Sequence, residues 1–407
     1  MAGAWVSGCS RDQPVAPNPS PDPTLNFLNF SDGPDEAAFQ QLCEQFREET
    51  GIRVKMEVIP FPDMAETLRA RIDRGAGPDV ARVTQVAPYA NDVLDLAQYE
   101  RPALADRFWP EFDQVITAGE RILAVPSDVT VNAPLINVDL FRKASVARPA
   151  TDRPWSSWRT MFDEAKKIKD TGACEYAFVM DVSPNRFCSM LSSYGTNFYA
   201  EDGRTPILDE DTTTSAIAYF AAMNAAMPRE LYTGAQSKYK SAAEVFAAGQ
   251  APIYLGGSWA AASLEQNVSF EWRAVPNVQQ ERTGAFPGAK FLIALRSGQR
   301  QQAAAKFVAY LAGAAAQLQM AEEANHIPTR RDITAAGFDY GVRAEDMAVF
   351  EAELAKVPAD AWGSAFAPGF EPTGAVLQEQ LQKVLERTAT PEGATAMVAA
   401  AAEEHAG

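Results

Sequence analysis

Apolar and polar positions along this chain switch repeatedly between a two-residue and a 3.6-residue period. Leu25 to Phe30 is a short apolar run that predicts a strand. From Asp35 to Thr50, Phe39, Leu42, Cys43 and Phe46 fall on one stripe, which predicts a helix with Pro34 at its first position and Gly51 at its C-terminal cap. Ile52, Val54, Met56 and Val58 then alternate with Arg53, Lys55 and Glu57, the pattern of a half-buried strand. A helix follows over Pro62 to Arg74, with Met64, Leu68 and Ile72 on one side and Gly75 closing it, and Pro78 to Val83 is a third strand candidate. This βαβαβ order predicts an α/β fold with a mostly parallel sheet covered by helices on both faces.

The same theme continues with more helix. Arg121 to Pro126 is strand-like, and Val129 to Val138 is a second extended run. Trp158 to Lys169, capped by Ser157, and Thr214 to Met227 are amphipathic. Ala243 to Gly249 reads as helix and leads into Ala251 to Ala260, where a short apolar strand ends in a glycine turn followed by Trp259. Bare backbone at such a turn lets a ligand approach, and the indole offers it a flat face. Phe291 to Leu295 predicts a strand and Ala303 to Ala312 a helix. Further helices are expected toward the C-terminus, at Val376 to Arg387 and from an opening at Thr390-Pro391. No unit of 20–50 residues repeats, so solenoids and propellers are excluded.

Composition narrows the function. With 407 residues and 47% apolar content the chain can bury two cores of ordinary size. A net charge of −17, without a basic run longer than a pair, argues against a nucleic-acid partner. Two histidines, His326 and His405, leave little material for a histidine metal site or a Ser-His-Asp triad. No metal and no cofactor is expected. No stretch approaches the roughly 18 apolar residues of a transmembrane helix.

The first 23 residues hold a weakly apolar piece ending at Cys9 and a proline-rich tract that reads as a tether. Val6-Ser-Gly-Cys9 resembles the bacterial lipobox, whose cysteine becomes a lipidated anchor. The basic segment and the apolar stretch that precede it in a full signal are missing, so Cys9 is either the end of a truncated signal or an ordinary thiol. Cys43 is expected as a small core hydrophobe. Cys174 and Cys188 either pair across a short loop or remain two core thiols.

Several fragments, in order and spacing, resemble the extracellular solute-binding proteins of carbohydrate ABC importers, the maltose-binding-like group. They are Phe46 to Val54, Gly77 to Val80, Ile122 to Asp128, Leu135 to Phe141, Trp158 to Ile168 with Gly195 and Asp202-Gly203, Phe246 to Gln250, Gly256 to Trp259, Ala304 to Val308, Ile327 to Thr329 and Thr390 to Ala394. Two positions depart from the family: its Tyr-Asn is Ile136-Asn137 here, and its paired glycines ahead of the second crossing appear as Pro287 to Lys290. The resemblance implies a periplasmic-binding-protein-like fold of two α/β lobes, with crossings near Asp128 to Val131, Gly288 to Phe291 and His326 to Arg330. Residues 24–127 plus 291–325 would form one lobe and 128–290 plus 326–407 the other. A ligand would bind in the cleft between them. The implied partners are a carbohydrate, the permease subunits of an ABC transporter and a membrane reached only through a lipid anchor at Cys9, with the protein itself a monomer.

A sugar needs planar aromatics and inward polar groups. Trp259 with Gly257 and Ser258 is the leading aromatic candidate, and Asp128 at the first crossing the leading carboxylate, its plain alternative being a loop residue that caps nearby backbone. Thr84 and Gln85 follow the third strand. Asn185 and Arg186 precede an apolar run, and Arg186 could equally be a surface ion pair. Lys290 and Arg330 lie at crossings, where salt bridges between lobes are the commoner use, and Asp32 sits in a turn that ordinarily just starts a helix. Catalysis by a carboxylate pair is the competing reading, but 53 acidic residues offer pairs at will, and no GxSxG elbow, Walker A loop or GxGxxG motif is present. A structural lipoprotein without a small ligand is the third.

Overall fold

The computed structural model describes residues 24–30, 33–104, 106–150, 152–228, 241–298 and 300–406. The chain opens with β1 (Thr24–Phe30), α1 (Asp35–Thr50), β2 (Arg53–Ile59), α2 (Met64–Asp73) and β3 (Val80–Val83). Next come α3 (Ala97–Leu104), α4 (Asp113–Ile116), a two-stranded hairpin of β4 (Thr117–Ala118) and β5 (Arg121–Ile122), and β6 (Val125–Asn137). Helices α5 (Val138–Lys143), α6 (Trp158–Asp170), α7 (Pro184–Ser193), α8 (Glu210–Met223) and α9 (Ala242–Ala247) precede β7 (Ile253–Gly257), α10 (Ala261–Asn267), β8 (Trp272–Ala274) and β9 (Pro287–Ala294). The chain ends through α11 (Gln301–Leu311), α12 (Ala314–Ala324), α13 (Arg331–Ala336), α14 (Ala344–Leu354), α15 (Ala359–Ala365), α16 (Phe370–Leu385) and α17 (Pro391–Glu404).

Local chemistry accounts for many of these limits. Gly51 takes a left-handed φ of 74° and its N–H closes α1 on the Arg47 carbonyl. Ser157, Ser183, Asp209 and Thr390 each accept a backbone N–H in the first turn of α6, α7, α8 and α17, and Ser241 with Glu244 forms a capping box on α9. The α1 stripe is buried as the spacing predicts, Cys43 included. β2 keeps its alternation of exposed and half-buried positions.

Strand pairing corrects the expected sheet. β1 pairs parallel with β2 and β3, but β3 to β9, β9 to β6 and β6 to β7 are all antiparallel. The order β2-β1-β3-β9-β6-β7, with β8 also on β6, is therefore mixed. A βαβαβ opening fixes only its own three strands, whereas β9 arrives from the far end of the chain and runs the other way. The two extended runs around residue 125 divide differently: Arg121–Ile122 is the separate strand β5, and from Val125 on β6 is one continuous strand of 13 buried residues. Its first half pairs with β9 and its second half with β7 and β8, so it bridges two groups of elements. Ile327 adds a third link by bridging Val129.

The apolar spacing underestimates helix toward the C-terminus, where α12, α14 and α15 accompany the two expected helices. These helices are rich in alanine and buried on more than one side, which blurs the 3.6-residue stripe. The three described cysteines are unpaired, so Cys174 and Cys188 take the thiol alternative. Cys188 is fully buried on α7, and the Cys174 thiol donates to the Tyr176 carbonyl. Cys9 lies outside the described residues, as does Asp32.

Candidate functional site

A charged residue inside a run of apolar strand positions is the local origin of the site. Arg82 sits in β3 between Ala81 and Val83 and is 0% exposed. Removing a guanidinium from water is costly unless its donors are matched by acceptors. Its Nη1 donates to Asp35 Oδ2 at 2.8 Å and to the Phe30 carbonyl at 3.2 Å, and its Nη2 donates to Asp128 Oδ1 at 2.9 Å. The rings of Phe30 and Phe39 face its guanidinium at 4.9 and 5.1 Å. Asp35 lies in the first turn of α1, where the helix dipole also favours a carboxylate.

Lys290 and His326 complete the cluster. Asp128 and Lys290 are directly paired on β6 and β9, and Lys290 Nζ donates to Asp128 Oδ2 at 3.0 Å. The His326 ring stands between the two carboxylates, with Nε2 3.7 Å from Asp35 Oδ2 and Nδ1 3.7 Å from Asp128 Oδ1. Burial alone would raise the Asp128 carboxyl, but Lys290, His326 and Arg82 outweigh it and hold it well below the usual carboxylate range. Asp128 is thus a buried, ionised anchor in a strand, and not the loop residue considered from sequence. Its oxygens are engaged by the protein's own cations.

The glycine turn delivers the aromatic group to the same place. β7 ends at Gly257, whose neighbours Ser258 and Trp259 turn away from the strand. A Cβ on Gly257 would overlap the Trp259 ring and press on the Val131 carbonyl, so glycine is what lets the indole fold back over the backbone. Ser258 Oγ accepts the Val131 N–H at 3.3 Å, tying the turn to β6. The guanidinium carbon of Arg186, on α7, lies 4.0 Å from the Trp259 ring centroid. One narrow cavity is lined by Pro34, Asp35, Asp128, Thr130, Ser258, Trp259, Lys290 and His326.

The remaining sequence candidates are less concentrated. Gln85 is buried and donates to the Ala365 carbonyl at 2.9 Å, joining the end of β3 to α15, with Thr84 half-buried beside it. Asn185 is half-buried at the start of α7, next to Arg186. Arg330 is not in the cavity lining: Asp332 accepts from its Nε at 3.0 Å and its Nη2 at 2.7 Å, which commits its charge locally. Sequence reasoning missed Asp35, Arg82 and His326 as partners of Asp128. The lone arginine in the strand Val80–Val83 was the available signal.

A second crevice, with about 1630 Å³ of empty space open to solvent, is lined by Trp109, Glu111, Gln114, Glu201, Leu354 and Trp362 among others. None of the sequence candidates lines it. Ile327 lines both spaces, so the crevice and the narrow cavity share this crossing residue. Among the described residues, no helix is long and apolar enough to cross a membrane.

The profile of a family described as bacterial extracellular solute-binding protein matches residues 41–341. Solved structures match the fold over almost the whole chain. The GacH receptor of Streptomyces glaucescens, described in unliganded form and with acarbose and an acarbose homolog, aligns with a TM-score of 0.78 at 21% identity, covering 94% of this chain and 98% of that one. Maltose-bound MalE3 of T. maritima gives 0.78 at 19% identity, covering 94% and 99%. Lmo0181 of Listeria monocytogenes, an ABC substrate-binding protein in complex with cycloalternan, gives 0.80 at 17% identity, covering 94% and 98%. No curated protein matches the sequence at a significant level. The fold is that of the periplasmic binding proteins.

Proposed function

The chain belongs to the bacterial extracellular solute-binding protein family, and from that premise we propose that it captures a carbohydrate outside the membrane and delivers it to an ABC permease by closing two lobes. Residues 24–127 plus 291–325 form one lobe in this reading and 128–290 plus 326–407 the other. β6, β9 and the segment around Ile327 are the crossings. One observation carries the proposal: the narrow cavity where Ser258 and Trp259 meet Asp35, Asp128, Lys290 and His326 shares the crossing residue Ile327 with a solvent-open crevice of about 1630 Å³ lined by Trp109, Glu111 and Trp362, which has room for a saccharide. Trp259 becomes the stacking surface for a sugar face when Arg186 gives up the ring it covers, and Gln85, Thr84, Asn185 and Arg186 supply polar edges. Asp128 and Lys290 brace the crossings.

No covalent chemistry is assigned. A glycosidase needs one carboxyl free to give up a proton, whereas both carboxyls that line the cavity, Asp35 and Asp128, are paired with Arg82. Affinity then comes from contacts made in the closed state, and delivery from a permease that prefers that state. Cys9 is the proposed lipid anchor and the proline-rich tract its spacer, with the binding protein acting as a monomer on the outer side of the membrane.

The test is a thermal-shift screen against neutral, amino-substituted and phosphorylated saccharides, repeated with Trp259→Ala. A saccharide that raises the melting point of the native protein, and raises it less in the variant, supports the reading. A panel without any shift rejects it.

A further inference from the structure

One ring nitrogen in the wall that Trp259 shares is left without a partner. His326 Nδ1 is shielded from water and makes no hydrogen bond among the described residues. The Asp128 oxygen facing it lies 3.7 Å away, beyond hydrogen-bond reach, and is engaged by the Arg82 guanidinium at 2.9 Å. A buried polar atom in that condition costs about 1–3 kcal/mol. The ring is nevertheless held in place. The Asn325 amide donates to the Val342 carbonyl at 2.7 Å, the His326 backbone N–H donates to the Met320 carbonyl at 3.2 Å, and the imidazole packs edgewise with Phe39, their centroids 6.2 Å apart.

The narrow cavity gathers further unused hydrogen-bonding capacity. Thr130 and Ser258 line it together with His326 and Trp259. The Thr130 hydroxyl has no hydrogen-bond partner among the described residues. Ser258 Oγ accepts the Val131 N–H at 3.3 Å, and its own hydrogen meets no acceptor among the described residues. These groups converge from three parts of the chain: β6, the turn after β7 and the segment of Ile327. The carboxylates of the wall are matched by Arg82 and Lys290, so the space suits a neutral polar group. Its width admits about one water-sized group.

Resting on the capture reading above, we propose that this cavity receives the primary hydroxyl arm of a neutral hexose unit stacked on Trp259, with His326 Nδ1 as the group that reads it. A hydroxyl on the sugar ring goes no deeper than the ring itself allows. A hydroxymethyl arm projects one carbon beyond the ring and is slim enough to enter. An imidazole nitrogen pairs with a hydroxyl in either tautomer, accepting its hydrogen or donating to its oxygen. Thr130 and Ser258 meet the hydrogen-bonding sites that remain on the same hydroxyl. An N-acetyl group is too bulky for the space, and a charged substituent finds no counter-charge there, because the wall's own charges are already matched.

Calorimetric titration with maltotriose, cellotriose and mannotriose, each against its analogue with hydrogen in place of the primary hydroxyls, tests the idea. The wild-type protein should bind a parent sugar about tenfold tighter than its deoxy analogue, the factor expected when one buried hydrogen bond is lost. His326→Phe keeps a ring against Phe39 without the nitrogen, and Thr130→Val keeps the side-chain shape without the hydroxyl. The first should abolish the preference and the second reduce it, with the deoxy analogue bound as by the wild-type protein. If His326→Phe shows no melting transition, Thr130→Val decides the matter. Equal binding of parent and analogue by the wild-type protein, or a preference unchanged in the folded variants, rejects the hydroxyl pocket and leaves capture standing. Failure of every parent sugar to bind the wild-type protein rejects both.

Discussion

Lys290 donates to Asp128 at 3.0 Å across directly paired positions of β9 and β6, with both side chains withdrawn from water. The pair clasps the two long strands that bridge the sheet. Lys290→Met removes one cation from a buried carboxylate that keeps only Arg82 and His326 nearby. The expected loss of folding stability is about 3 kcal/mol, read from urea unfolding midpoints. Adding Asp128→Asn should recover some of it, because the stranded charge is then gone. A single variant as stable as the wild-type protein would show that the pair does not brace the crossings.

The same cluster sets an acid limit. The Asp128 carboxyl is held below its unfolded value of about 3.9, so its contribution is fully present above that pH and is lost as the pH falls through the folded value. Acid unfolding followed by tryptophan fluorescence should keep this term intact down to about pH 4. Lys290→Met lets the Asp128 carboxyl rise, so its acid limb should move to higher pH. An unmoved limb would mean that other carboxylates control the transition.

Gly257 and Trp259 make a separate prediction about binding. Trp259→Ala should weaken saccharide affinity by about 1–3 kcal/mol, the range for removing a buried aromatic anchor. Gly257→Ala keeps an extended backbone but places a methyl where the indole lies. It should expel the ring and lose comparable affinity while the circular dichroism spectrum stays native. Calorimetric titration of both variants checks this, and full affinity in both would move the site elsewhere.

Thiol chemistry tests the cysteine assignment. Burial pushes the Cys43 thiol up to about 12, with Glu44 adding to it, and burial, partly opposed by Lys169 and Lys143, pushes Cys174 up to about 11. Complete burial raises Cys188 beyond both. At pH 8 these three should react slowly with Ellman's reagent, Cys174 first because it is only half-buried. In denaturant all four cysteines of the unlipidated chain should titrate. Two fewer would reveal a bridge between Cys174 and Cys188.

Local elements were legible where the chain states them locally. The α1 stripe with its Gly51 cap, the Ser157 and Thr390 caps and the alternation in β2 are all short-range signals, and the structure keeps each of them. The direction of β9 was not legible, since nothing near Pro287 specifies a partner strand so far upstream. Trp259 and Asp128 could be picked out by their flanking glycines and crossing strand, but their relation could not. Asp128 looked available to a ligand because its consumers, Arg82 and Lys290, reach it only through the folded sheet.

Small-angle X-ray scattering, with and without the saccharide that most raises the melting point, tests closure most directly. The account predicts that saturating saccharide lowers the radius of gyration below that of the ligand-free protein. A saccharide that binds in the calorimeter yet leaves the scattering curve unchanged would contradict the closing of two lobes on their ligand.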